Sequence, residues 1–157
     1  MYRIRGGLCP VLITICAASN SGGMEVIMCY FIGIRSNFLL ENYRFIEDTL
    51  VLVTYAKHQH QKENDKYYYL LTLRGCSCDM VNSKDNALNQ RFRSFLSKFP
   101  GNQESEVMLH WEGGEIIYEI GNNYEKLRPL MKQHIISKED FLNLYPSLER
   151  DSLYILT

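Results

Sequence analysis

The chain has 157 residues, 46% of them hydrophobic, with seventeen basic against eighteen acidic side chains and a net charge of −1. That is enough apolar material for one domain with a core of its own, so no disulfide framework is required. Near-neutrality with both signs mixed along the chain excludes broad electrostatic attraction to nucleic acid or to an acidic membrane, and neither is expected as a partner.

Five cysteines, Cys9, Cys16, Cys29, Cys76 and Cys78, form an odd and irregularly spaced set. A secreted disulfide scaffold would be even and denser, so the pattern points to a reducing compartment, the cytoplasm. Residues 1–23, MYRIRGGLCPVLITICAASNSGG, stand apart as a leader-like segment. Arg3 and Arg5 precede an apolar stretch from Leu8 to Ala18, the order of a secretory signal, and the protein would be exported if residues 1–18 work as one. The stretch is too short to cross a bilayer as a helix, and Ile15 is too large a residue before Cys16 for a lipoprotein signal. Two other readings compete: VLITI as an extra first strand, or a natural start at Met24 or Met28. An uncleaved or mis-started leader is preferred, with one domain over 24–157.

Residues 25–35, EVIMCYFIGIR, are a continuous apolar run without helical spacing, which predicts a buried strand. Residues 37–48 fit a short helix or an irregular strand. TLVLVTYA at 49–56 and YYYLLTLR at 67–74 are strands around the polar KHQHQKENDK, which together predict a long antiparallel hairpin. Over 84–99, apolar residues at 88, 92, 95, 96 and 99 make a stripe at helical period. Ser83 or Asp85 is placed to cap its start, and Pro100-Gly101 to stop it. Residues 106–120, EVMLHWEGGEIIYEI, read as a second hairpin turning at Gly113-Gly114. A helical turn is expected over 127–134 with Pro129 in its first turn, and a short helix over 137–145 ended by Pro146. LYILT closes the chain as a last strand.

The residues that invite chemistry are RGCSCDMV at 74–81 and the pair His58 and His60. Zinc sites use thiolates and imidazoles, but the hairpin separates these pairs by about 30 Å at roughly 3.3 Å per residue. A metal at the cysteines would need Asp79, Cys29, or Glu47 and Asp48 beside Cys76, Cys78 and the strand start. A thiol nucleophile would need His110 or His134 to approach in space; Arg74 would lower a neighbouring thiol pKa and Asp79 would raise it. The simpler reading packs both cysteines under the helix at 84–99, since free Cys is among the most buried residue types. Trp111 and Tyr118 are the candidates for a protein contact, being aromatic anchors on one predicted hairpin.

Residues 28–34, MCYFIGI, resemble the start of the N-terminal-nucleophile glutamine amidotransferases, which begin Met-Cys-Gly-Ile-x-Gly and lose the Met to free the Cys as nucleophile. The resemblance covers seven residues and would give that role to Cys29, with Met28 as the start. Tyr30 stands where the family has glycine, and no later glutamine-site motif follows, so Cys29 reads better as a buried strand cysteine.

The expected fold is α+β, an antiparallel or mixed sheet of about five to six strands with one main helix at 84–99 and short C-terminal helices. The expected function is a small protein-binding or regulatory protein without catalytic activity, of which a toxin-neutralising immunity-like protein is one example. No cofactor is expected, and a protein partner is. The alternative is a thiol-dependent enzyme or metal-binding protein built on Cys76 and Cys78, with Cys29 or Asp79.

Overall fold

A computed structural model of the chain describes residues 29–40, 45–46, 50–54, 66–72, 77–112 and 120–157. The leader-like segment, the polar hairpin tip with His58 and His60, and the Gly113-Gly114 stretch lie outside the described residues.

The apolar run after Met28 forms β1 (Cys29–Ser36). The short β2 (Phe45–Ile46) follows, and β3 (Leu50–Thr54) and β4 (Tyr67–Thr72) pair antiparallel from Val51↔Thr72 to Thr54↔Tyr69, so the long hairpin is present. The period-3.6 segment is α1 (Asn86–Ser97). Its cap is Asp85, whose carboxylate accepts from the N–H groups of Ala87 at 3.0 Å and Leu88 at 3.1 Å, satisfying donors that the first turn otherwise leaves open. Leu88, Phe92, Phe95, Leu96 and Phe99 are all buried, as the stripe requires. Then come β5 (Ser105–Glu112), α2 (Ile120–Leu127), β6 (Lys132–Ile136), α3 (Lys138–Leu144) and β7 (Ser152–Leu156).

The seven described strands make one mixed sheet in the order β2-β3-β4-β1-β5-β7-β6. Every pairing is antiparallel except β6 with β7, which run parallel and are joined through α3. Parallel neighbours need such a crossover, whereas the antiparallel β3 and β4 are joined by a loop. β5 is central, with residues 105–110 buried along both faces. On one face of the sheet, Ile32, Ile34, Leu71, Val107 and Leu109 pack under Phe92, Phe95 and Leu96 of α1 and Phe141 of α3. On the other, Tyr68, Met108 and Leu153 pack under Tyr124 and Leu127 of α2 and under Met131.

Two expectations are corrected. The second hairpin over 106–120 is corrected at its end, since Ile120 opens α2; its turn and returning run lie outside the described residues, and β5 is paired along its length by β1 and from Ser105 to Leu109 by β7. Its ladder positions there are filled by distant strands, which a local turn signal cannot report. The helical turn ends earlier than His134. Residues 128–130 form a 3-10 turn around Pro129, and Lys132–Ile136 is a strand. The α+β class with a mixed sheet is as expected, and the two-residue β2 and the parallel β6 bring the described strands to seven. No described helix is long and apolar enough to cross a membrane.

Candidate functional site

The RGCSCDMV corner is described from Ser77 onward, with Cys76 outside. Ser77 is fully buried and does the structural work. Its Oγ donates to the Leu71 carbonyl at 2.6 Å and accepts from the Ile32 N–H at 2.9 Å, and its own N–H donates to the Tyr30 carbonyl at 2.9 Å. The β1–β4 ladder ends at Ile32↔Leu71, so Ser77 takes over the hydrogen bonding of β1 where β4 leaves it. Cys78 continues the same job: its sulfur accepts from the Tyr30 N–H at 3.3 Å, and it opens a 3-10 turn over Cys78–Met80. The sulfur is half-buried against strand backbone, and the buried side chain of that turn is Met80. Asp79 is exposed, and Cys29 is buried in β1. Among the described residues, no three His, Cys, Asp or Glu side chains are grouped to hold a metal.

Trp111 is half-buried and packs on Tyr30 with ring centroids 4.3 Å apart. Tyr118 lies outside the described residues, as do Glu47 and Asp48. The neighbour of Trp111 in the chain, His110, is fully buried, with Nδ1 at 3.1 Å from Asp151 Oδ1. The Trp111 N–H donates to that same oxygen at 3.0 Å. Asp151 holds φ at +53°, a left-handed turn conformation that Asp tolerates better than most residues, and this turn delivers its carboxylate to β5 just ahead of β7.

A second polar group on this face passed unnoticed in the sequence. Glu106 of β5 is 1% exposed, yet charged partners surround it. Arg128 donates from Nη2 to Oε1 at 2.8 Å and from Nε to Oε2 at 3.2 Å, and Arg35, the registered neighbour on β1, donates from Nη2 to Oε1. Arg35 also reaches Glu125 of α2 at 3.0 Å, and the Tyr68 hydroxyl donates to Glu125 at 2.6 Å. Burial alone would lower the Arg35 pKa, but the charge and hydrogen bond of Glu106 outweigh it and hold the guanidinium firmly protonated. Burial raises the Tyr68 hydroxyl, and its bond to Glu125 raises it further. Burial would likewise raise Glu125, but the Tyr68 bond and the Arg35 charge hold it below the usual carboxylate range. These bonds make the cluster a clamp between α2 and the sheet. Its sequence signals were Arg35 in the apolar run of β1 and Glu106 near the start of β5.

At the opposite side of the sheet, β6 is a terminal strand, and among the described residues nothing pairs with its outer side. The hydrogen-bond phase is fixed by its ends: Lys132 N–H donates to the Asp151 carbonyl at 3.0 Å, and Thr157 N–H to the Ile136 carbonyl at 3.1 Å. In a parallel ladder alternate residues face one neighbour, so Lys132, His134 and Ile136 bond to β7, while Gln133 and Ile135 direct N–H and C=O outward. Ile135 is 78% exposed, the most exposed large hydrophobic side chain among the described residues. It extends the apolar row that Ile155 of β7 begins on the α2 face. On the other face the His134 ring stacks on Tyr154 with centroids 4.9 Å apart, and Lys132 holds Glu149 at 2.8 Å.

No protein family, no curated protein and no solved structure matches this chain.

Proposed function

We propose that this chain is a small protein-binding protein without catalytic activity, and that β6 is its contact edge. The observation carrying the reading is the combination at Ile135: a large apolar side chain, 78% exposed, on a terminal strand whose outward backbone groups pair with no strand among the described residues. Edge strands of this kind are normally blunted by charge, proline or cover, because they template pairing with another chain. Here the charge of Lys132 stands at the start of the strand, paired with Glu149, and the centre of the strand, Gln133 to Ile135, carries no lysine, arginine or carboxylate. Strand addition to such an edge takes affinity from main-chain bonds and specificity from alternate side chains. The near-neutral charge of the chain fits a partner recognised by shape and backbone pairing rather than by long-range attraction.

The test uses paired baits, the wild-type chain and Gln133→Pro. Proline removes an outward N–H and leaves the inward bonds to β7 in place, since edge positions tolerate it. A partner held by the wild type and lost from the variant supports the reading. A partner held equally by both moves the contact away from β6, and no stable partner for either removes the reading.

A further inference from the structure

We infer that the strand that pairs with β6 is β6 of a second copy of this chain, antiparallel, about a two-fold axis through His134. This rests on the reading of β6 as the contact edge. Antiparallel partners exchange hydrogen bonds only where both residues direct their backbone groups across the gap. On β6 those residues are Gln133 and Ile135. A two-fold axis at His134 sets Gln133 opposite Ile135 of the second copy, and Ile135 opposite its Gln133. Both outward residues of each strand are then used. An axis at Gln133 or at Ile135 pairs only one such residue within the strand and sends the rest beyond its ends. Any odd shift sets an outward residue against an inward one.

The charges favour the same arrangement. Lys132 stands at the start of β6, and the exposed Glu139 and Asp140 open α3 just past its end. Lys138 is turned inward to the Phe99 carbonyl at 2.8 Å. Antiparallel pairing carries the basic start of each strand toward the acidic end of the other, whereas a parallel arrangement would set Lys132 beside its own copy. On the α2 face the pairing covers Ile135 with the stem of Gln133 from the second copy, twice by symmetry. The contact is one strand wide and far smaller than a standard interface of about 1,600 Å², so the dimer is weak and concentration-dependent.

Light scattering and sedimentation of the full chain over a concentration series test this, together with mild oxidation of single-cysteine additions. The mass is expected to rise from one chain toward two with concentration, and Gln133→Pro is expected to stay at one with unchanged circular dichroism. Should the proline variant fail to fold, Ile135→Lys is expected to give the same loss of the dimer. His134→Cys sets two thiols face to face on the axis and is expected to form an interchain disulfide, located by peptide mass. Gln133→Cys, set one pair off the axis, is expected to cross-link far more slowly. A wild-type chain that stays at one mass throughout overturns the inference, as does a dimer that survives both edge variants. If the chain is monomeric yet holds a foreign partner that Gln133→Pro releases, the second copy is ruled out and β6 stands as the contact edge; if it holds none, both fall.

Discussion

The two faces of the sheet are held by different physics. Under α1 and α3 the packing on the sheet is mainly apolar, with Phe92 at 4.3 Å from Tyr145 and Phe141 at 5.1 Å from Tyr154 by ring centroids, and Arg93 ties α1 to the Leu142 and Tyr145 carbonyls. Under α2 the apolar patch of Met108, Leu127 and Leu153 is short and has a polar group toward each end: the Arg35–Glu106–Arg128 clamp and the His110–Asp151 pair. Apolar packing is non-directional and scales with area. Bidentate arginine–carboxylate bonds are directional and allow one geometry. The first face therefore supplies most of the stability, while the second fixes where α2 sits.

That division predicts opposite responses to substitution. Phe92→Ala empties a fully buried site at the centre of the larger core and should cost about 3–5 kcal/mol, read as a lower denaturant midpoint. Glu106→Ala should be nearly as damaging, about 3–5 kcal/mol, because it strands Arg35 and Arg128 without their shared acceptor. The sharper experiment replaces Arg35, Glu106 and Arg128 together with apolar residues of similar volume. Stability should then recover most of the loss, since buried ion pairs roughly break even against well-packed hydrophobes. A triple variant as unstable as Glu106→Ala would erase the distinction between the faces.

Between these extremes lies the seam where β4 leaves β1. Ser77→Ala removes a buried hydroxyl and leaves the Ile32 N–H and Leu71 carbonyl short of a partner, which should cost about 1–3 kcal/mol. Cys78→Ala removes a weaker sulfur acceptor from a half-buried position and should cost less. A reversal of that order in urea melts would return the cysteine to the centre of the corner.

This seam also marks what the sequence could and could not say. Two cysteines draw attention by their chemistry, yet the residue between them closes the sheet, and nothing in the letters CSC ranks a serine above its neighbours. Elements with strong local signals were legible: the α1 stripe with its Asp85 cap, the β3–β4 hairpin, and α3 between Ser137 and Pro146. Elements defined by distant partners were not. Gly113-Gly114 suggested a hairpin, whereas the described neighbours of β5, β1 and β7, are distant in sequence. KQHII is five residues with little alternation, and its identity as an edge strand depends on pairing with β7 across α3. Arg35 and Glu106 are 71 positions apart, and only the register of β1 with β5 joins them.

The smallest effect tests the directional face by itself. Glu125 is held below the usual carboxylate range, so its bonds to Tyr68 and Arg35 favour the folded state above the unfolded glutamate pKa of about 4.3. That contribution is lost as pH falls through the lower folded value, where the carboxylate takes up its proton in both states. Glu125 is 54% exposed, so solvent screening keeps its contribution below about 1 kcal/mol. Glu125→Gln should therefore melt slightly below the wild type at pH 7, and the gap should close as the pH drops past the glutamate range. The Phe92→Ala deficit has no such titration and should persist across the same range. A gap for Glu125→Gln that is equally indifferent to pH would mean that α2 is held by the packing of Tyr124 and Leu127, and that its charges follow a position already set.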